Sequence, residues 1–412
     1  MRFARFCETS LADIRPEGWL RRYLEVQRDG LTGHLEVAGY PFNGKGWAGT
    51  GTEGTQGDPW WPYEQTGYWI DGMIRCGHLL GDSFLIDKAR HHIEYVLDHA
   101  GGDGYLGPAF MCESKENYHW PHAVFFRALQ AEHSASGDAR IPSAISDHYL
   151  AGTCDHTILR DVCNVESMLW TYDRTGDDRL LKAAIDAWGG YNRAQPDTPT
   201  AMKKMLSDDV AHEHGVTYNE IGKLGAILYM YTGNRRYLAA TVNAYRKLDR
   251  DHMLADGVCS SSEYLAGRDP LASHETCDIA DYTWAAGYLL MATGDAAYAD
   301  KIEKAVFNAA PGAVKSDDFK ALQYFSCPNQ IVADRTSNHN LFFRGSNWMS
   351  YRPNPPVQCC PAQVSRIMPN FASRMWMKTP DGKGLVAAFY GPNVVTTTVN
   401  GQTVTIVEET QY

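Results

Sequence analysis

Apolar residues recur at helical spacing along most of the chain. Ser10 suits the cap of an opening segment, and Gly18-Trp-Leu-Arg-Arg-Tyr-Leu-Glu-Val-Gln-Arg28 alternates apolar and charged positions as an amphipathic helix does. From Gln65 onward a short turn returns five times, as Leu80-Gly81-Asp82, Ser136-Gly137-Asp138, Thr175-Gly176-Asp177, Thr232-Gly233-Asn234 and Thr293-Gly294-Asp295. Each turn follows an apolar, aromatic-rich stretch such as Ala226-Ile-Leu-Tyr-Met-Tyr231. Each precedes a second amphipathic stretch such as Arg236-Tyr-Leu-Ala-Ala-Thr-Val-Asn-Ala-Tyr245. The glycine can end one helix in the left-handed conformation, and the Asp or Asn after it can cap the next. The repeat therefore predicts five helical hairpins. With the first helix and another near Gln363–Met377, the pattern predicts a mainly α chain, a closed (α/α)6 barrel or helical toroid. An open helical solenoid is the alternative.

Two regions break the pattern. Residues 31–66 are rich in Gly, Pro, Trp and Thr, as in Asp58-Pro-Trp-Trp-Pro-Tyr63, and read as one long loop of the kind that usually carries function. After Lys378 the chain turns β-rich, in Gly384-Leu-Val-Ala-Ala-Phe-Tyr-Gly391 and Asn393-Val-Val-Thr-Thr-Thr-Val-Asn400, with Asn400-Gly401 as a hairpin turn. Two or three strands cannot stand alone. The expected division is a catalytic-type barrel over 1–378 and, over 379–412, the beginning of a β-sandwich that the chain enters without completing.

Composition narrows the partners. The net charge of -11 argues against nucleic acid and against an anionic membrane surface. The 11 Trp, 23 Tyr and 15 His suit carbohydrate handling, a weak pointer taken alone. Ten cysteines at irregular spacing do not form a secreted disulfide framework and favour a reducing compartment. The N-terminus lacks the apolar core of a signal peptide, and no run of about 18 apolar residues occurs. A cytoplasmic protein is the expectation.

The densest chemistry lies in Gln358-Cys359-Cys360-Pro361 and His274-Glu275-Thr276-Cys277. Adjacent thiols suit either one metal ion or a strained vicinal disulfide. If the fold joins the two motifs, Glu275, Cys277, Cys359 and Cys360 make a four-ligand set of three sulfurs and one oxygen, a composition that fits zinc. A zinc-bound thiol is deprotonated and nucleophilic at neutral pH. Sugar cleavage also needs an acid/base, and Glu263, in the Ser-rich Cys259-Ser-Ser-Ser-Glu263, is a reasonable one. The plainer reading makes Cys277 and Cys359 buried apolar residues and Glu263 a solvated one; spacing alone leaves both open. His122 and His214 lie near helix starts, where a toroid lines its cavity, although a lone His more often packs or caps. Asp71 and Glu220 read as ordinary surface carboxylates.

Ile14-Arg-Pro-Glu-Gly-Trp-Leu20, Arg28-Asp-Gly-Leu-Thr-Gly-His34, Glu275-Thr-Cys277 and Cys359-Cys360-Pro361 together resemble glycoside hydrolase family 127, whose members include β-L-arabinofuranosidases. The resemblance spans essentially the whole chain. It implies an (α/α)6 barrel followed by β-sandwich domains, and a retaining hydrolysis of β-L-arabinofuranose or a related sugar from plant-derived glycans or glycoconjugates. By the motif, Cys359 would be the nucleophile and Glu263 the acid/base, with Glu275, Cys277, Cys359 and Cys360 as the Zn2+ ligands. His122, His214, Glu303 and Tyr324 would contact the sugar. A homodimer through a C-terminal region beyond residue 412 is a further expectation. Shortening between Glu263 and Glu275, with Arg268 inside, puts the sugar specificity in question; Arg268 would suit an acidic sugar. The rivals are another (α/α)6 sugar enzyme, an unsaturated uronyl hydrolase or epimerase, and a non-catalytic carbohydrate-binding protein with a structural zinc.

Overall fold

A computed structural model describes residues 1–49, 58–151, 154–334 and 348–411. Its helices are α1 (Gly18–Gln27), α2 (Trp61–Leu80), α3 (Ser83–Asp98), α4 (Trp120–Ser136), α5 (Arg140–Leu150), α6 (Asn164–Thr175) and α7 (Asp178–Ala194). There follow a short α8 (Met202–Met205), then α9 (Gly215–Gly222), α10 (Leu224–Thr232), α11 (Arg235–Asp251), α12 (Thr276–Thr293), α13 (Ala297–Ala313) and α14 (Cys359–Ser373). Two classes separate by burial. In α2, α4, α12 and α14 nearly every residue is buried whichever way it faces. In α3, α7, α11 and α13 only one stripe is. A helix buried all round sits inside a ring of others, and a one-sided helix forms its outer wall.

The inner helices close into a ring. α2 packs on α4, α4 on α6, and α6 on α10; α9 and α10 pack on α12, α12 on α14, and α14 again on α2. That last contact excludes the open solenoid. All five repeated turns behave as the pattern predicts: Gly81, Gly137, Gly176, Gly233 and Gly294 have φ between 67° and 74°, a left-handed conformation that costs glycine little. The next residue caps the following helix, as when Asp177 accepts from Arg179 N and Asn234 from Arg236 N.

A charged plug crosses the ring. Asp71 pairs with Arg75 and Arg366, Arg366 with Asp281, Arg127 with Glu166 and Glu220, and Lys223 with both glutamates. α2, α4, α6, α9, α12 and α14 each supply a member, and Lys223 stands between α9 and α10. Asp71 and Glu220 are thus not surface carboxylates but wholly buried. Balanced pairing is what makes such burial tolerable.

Several boundaries differ from the sequence reading. The long loop ends early, because α2 begins at Trp61 and takes Glu64 and Gln65 into its first turn; residues 50–57 of that loop lie outside the described residues. The last helix begins at Cys359 rather than Gln363 and ends at Ser373. The C-terminal strands pair with the N-terminal segment. Strand β1 (Cys7–Glu8) joins a sheet with two later strands, Trp376–Lys378 and Leu385–Ala387. Strand β2 (Ile14–Pro16) lies beside Asn393–Val399, the first arm of the hairpin that returns as Gln402–Glu408. Both chain ends thereby buttress the barrel. Among the described residues no helix is long and apolar enough to cross a membrane.

Candidate active site

The thiol–carboxylate site forms where α12 and α14 begin. Strand β3 (Ser261–Ser262) and β4 (Tyr264–Leu265) make a minimal hairpin with Glu263 at its tip; β5 (His274–Glu275) pairs with β6 (Phe325–Ser326). The β5–β6 pairing and the Thr276 N–H bond to the Tyr324 carbonyl set Glu275 beside Tyr324. Cys359 and Cys360 open α14, so their sulfurs sit where helix N–H groups favour negative charge.

The four expected ligands meet. One donor atom each from Glu275, Cys277, Cys359 and Cys360 lies within 4.8 Å of the others. Glu275 Oε1 is 3.3 Å from Cys359 Sγ and 3.5 Å from Cys360 Sγ, and Cys277 Sγ is 3.4 Å from Cys360 Sγ. No disulfide joins them. The set fits a soft divalent cation on two grounds. Three thiols and a carboxylate are zinc donors, and Glu275 Oε2, though buried, has no hydrogen-bond partner. Burial and the negative charges of Cys359, Glu263 and Asp278 push the Glu275 carboxyl well above its ordinary range.

Negative charge concentrates on Cys359. Burial opposes its ionisation, but hydrogen bonds with Cys277, Cys360, Tyr324 and Glu275 outweigh burial and hold this thiol well below the ordinary range. Burial pushes Cys277 and Cys360 the other way. The Tyr324 hydroxyl lies 3.3 Å from Cys359 Sγ and donates to Glu263 Oε1 at 3.0 Å. His214 caps α9: its Nδ1 accepts the Thr217 N–H at 3.3 Å. That assignment leaves Nε2 as the protonated nitrogen, 3.4 Å from Glu263 and 3.9 Å from Glu275.

Glu263 is held under strain. Its φ of 77° is unusual for a residue with a side chain. Its carbonyl accepts from Gly215 N and from Ser261 Oγ, both at 2.8 Å, which fixes the hairpin tip and aims the carboxylate inward.

Two expected sugar contacts lie elsewhere. His122 is fully buried, its Nε2 2.8 Å from the Leu106 carbonyl and its ring among Trp47, Tyr105, Phe126 and His148. At the start of α4 it is Trp120, two residues earlier, that bonds to Glu64. Glu303 belongs to the outer helix α13 and accepts the Tyr390 N–H at 3.0 Å, tying the barrel to the sheets. Arg268 is on the surface, directed at the Arg250 carbonyl. His212 stacks on Tyr264. Conversely, the sequence reading missed Glu64, whose charge and that of Cys359 bear on each other, and Asp278, which burial raises to about 7. The run of aromatics before Glu64 was the available signal.

A closed ring of helix pairs with a thiolate and two carboxylates gathered at one mouth defines a sugar-processing (α/α)6 enzyme. The chain belongs to the β-L-arabinofuranosidase family GH127: the model of that family's catalytic domain matches residues 46–373. It is accordingly a glycosidase. Comparison with curated proteins gives no match. Among solved structures, the chain is similar to a GH127 β-arabinofuranosidase (TM-score 0.77, 17% identity, covering 100% of this chain and 68% of that one). It is also similar to a GH127 β-L-arabinofuranosidase from Geobacillus stearothermophilus T6 (TM-score 0.71, 17% identity, 97% and 71%). The fold extends to the unsaturated glucuronyl hydrolase of Bacillus sp. GL1 (TM-score 0.55, 11% identity, 85% and 96%). The chain spans about two thirds of the length of the two GH127 structures.

Proposed function

We propose that the chain is a retaining glycosidase that uses Cys359 as nucleophile and Glu263 as acid/base, releasing β-L-arabinofuranose or a related sugar from plant-derived glycans or glycoconjugates. The observation that carries this reading is the Tyr324 hydroxyl, hydrogen-bonded to both Cys359 Sγ and Glu263 Oε1. Those bonds limit the separation of the two groups to less than about 6.5 Å, which supports retention over inversion.

Glu263 protonates the leaving oxygen while Cys359 Sγ attacks C1; the C–S bond forms as the glycosidic C–O bond breaks. Glu263, now ionised, takes a proton from water, whose oxygen attacks C1. The C–S bond breaks and the thiolate returns. His214, with Nε2–H directed at Glu263, holds that carboxylate in place, and Tyr324 keeps it apart from the sulfur. Zn2+ held by Glu275, Cys277, Cys359 and Cys360 would supply the positive charge that makes Cys359 a better leaving thiolate.

The test is metal analysis of the purified protein together with hydrolysis of p-nitrophenyl β-L-arabinofuranoside by wild type and Cys359→Ala. About one zinc per chain, with turnover abolished in the variant, is expected. A metal-free protein under reducing, chelator-free conditions, or a Cys359→Ala variant that still turns over, would overturn the reading. Zinc retained without turnover of this substrate would move the search to other glycosides, and zinc that only stabilises the fold would mark a structural site.

A further inference from the structure

A second polar cluster stands over the reaction site without a part in the chemistry above. Asp71 of α2 and Arg366 of α14 face each other at 2.8 Å. Seven residues earlier on each helix stand Glu64 and Cys359, and positions seven apart on a helix share a face. Glu64 and Cys359 therefore both rise two turns above one ion pair, and each charge is felt by the other.

Glu64 is buried and organised. Its Oε1 accepts from Trp120 Nε1 at 2.7 Å, Arg160 Nη1 at 3.0 Å and Tyr68 Oη at 3.2 Å. Among the described residues its Oε2 accepts only from Gln65 Nε2, at 2.8 Å. The fully buried Gln65 Oε1 has no hydrogen-bond partner. Arg160 lies between the rings of Trp60 and Trp120, 5.3 and 5.0 Å from their centroids. Among the described residues only its Nη1 is engaged, and the side chain keeps 15% exposure. The residue before it, Leu159, has φ 39°. A bulky side chain in the left-handed region is strained, and such strain persists where the surroundings demand it. Acceptor capacity on Glu64, donors on Arg160 and the edge of Trp60 make a surface matched to neighbouring hydroxyls on a sugar ring.

We propose that Glu64 and Arg160 form a specificity-determining pair that grips two adjacent hydroxyls of the glycosyl ring bound at Cys359, Glu64 Oε2 accepting from one and the free Arg160 N–H groups donating to the other. The ligand class is a sugar with a vicinal diol. The inference rests on the glycosidase reading and specifies which part of the substrate that site reads.

The test compares p-nitrophenyl β-L-arabinofuranoside with its 2-deoxy and 3-deoxy counterparts in wild type, Arg160→Ala, Arg160→Lys and Glu64→Gln. Wild type is expected to favour the parent by about 10- to 100-fold in kcat/KM over at least one deoxy compound. Arg160→Ala and Glu64→Gln are expected to lose the parent rate, mainly through KM, and to leave the deoxy rate nearly unchanged, closing the gap. A merely structural pair would lower both rates together, and that result, or unaltered discrimination in both variants, overturns the proposal. Glu64→Gln keeps size and shape and Arg160→Lys keeps the charge, so the question stands even if Arg160→Ala does not fold. A second readout needs no turnover: quenching of tryptophan emission by free L-arabinose, D-galactose or D-glucuronate. If wild type cleaves no arabinofuranoside, binding of one of these sugars that is lost in Arg160→Ala upholds the pair while the activity reading falls. No binding of any of them overturns both.

Discussion

Cys359 has its thiol pKa lowered by position: it starts a helix and shares hydrogen bonds with Cys277, Cys360, Tyr324 and Glu275 that together outweigh burial. Glu263 occupies a tip where the backbone is held left-handed. Glu263→Gln should lower steady-state kcat by about 10^2- to 10^4-fold. With a p-nitrophenyl leaving group, which needs little protonation, the first step should survive, and rapid mixing should show a burst near one equivalent before turnover stalls. Gly215 is equally sensitive, because a Cβ there would lie 2.4 Å from Ser261 Oγ and 2.5 Å from Asp278 Oδ1. Gly215→Ala should displace the hydroxyl that holds the Glu263 carbonyl. We expect a loss of about 1–3 kcal/mol in a denaturant titration, with kcat falling further than stability explains. The thiols and Glu275 were legible as a set of metal-type donors because few side chains suit soft metals and these fall in two short motifs. Glu64 and Arg160 were not, because each became significant only through the helix that faces it.

At the scale of elements, the site depends on how closely α2 approaches α14. Gly72 lies against Ser365, and a Cβ on it would be 2.6 Å from the Ser365 backbone. Gly72→Ala should force the two helices apart and carry Glu64 away from Cys359. Expected are a destabilisation of about 1–3 kcal/mol and weaker substrate binding, with metal content unchanged. The glycine turns behave differently. Gly176 has φ 70° and open space beyond it, so Gly176→Ala should cost about 1 kcal/mol of stability from backbone strain alone and leave kcat/KM untouched.

At the scale of the molecule, two buried polar systems set the conditions for folding. The charged plug balances acids and bases across the ring, and Arg127→Met would leave Glu166 and Glu220 to share Lys223. A loss of about 3–5 kcal/mol is expected from chemical denaturation. The second system is the histidine chain His156, His119, His122 and His148, whose successive ring centroids are 5.3, 6.3 and 4.8 Å apart. Burial lowers His119 to about 4 and His122 to about 3, and holds His148 and His156 well below 6.5. Because the folded values are depressed, the unfolded chain binds more protons between pH 6.5 and those values. Stability is therefore full above about pH 6.5 and falls as pH drops, by about 1–2 kcal/mol for each histidine at pH 5. Thermal melts between pH 7.5 and 5 should show that slope, and His148→Phe should flatten it.

The order of helices and turns was written into the sequence, because helical period and glycine-plus-cap turns act over a few residues and need no distant partner. The metal-type donor set was also legible, since its chemistry is rare. Tertiary structure decided the rest. Whether a helix face meets the mouth, the plug or the outer wall depends on how the ring closes and rotates each helix, which local spacing does not encode. Hence His122 turned into an aromatic pocket and Glu303 to the sheet junction. Asp71 and Glu220 became buried counter-charges, and Glu64, inside an apparent loop, came to stand beside Cys359.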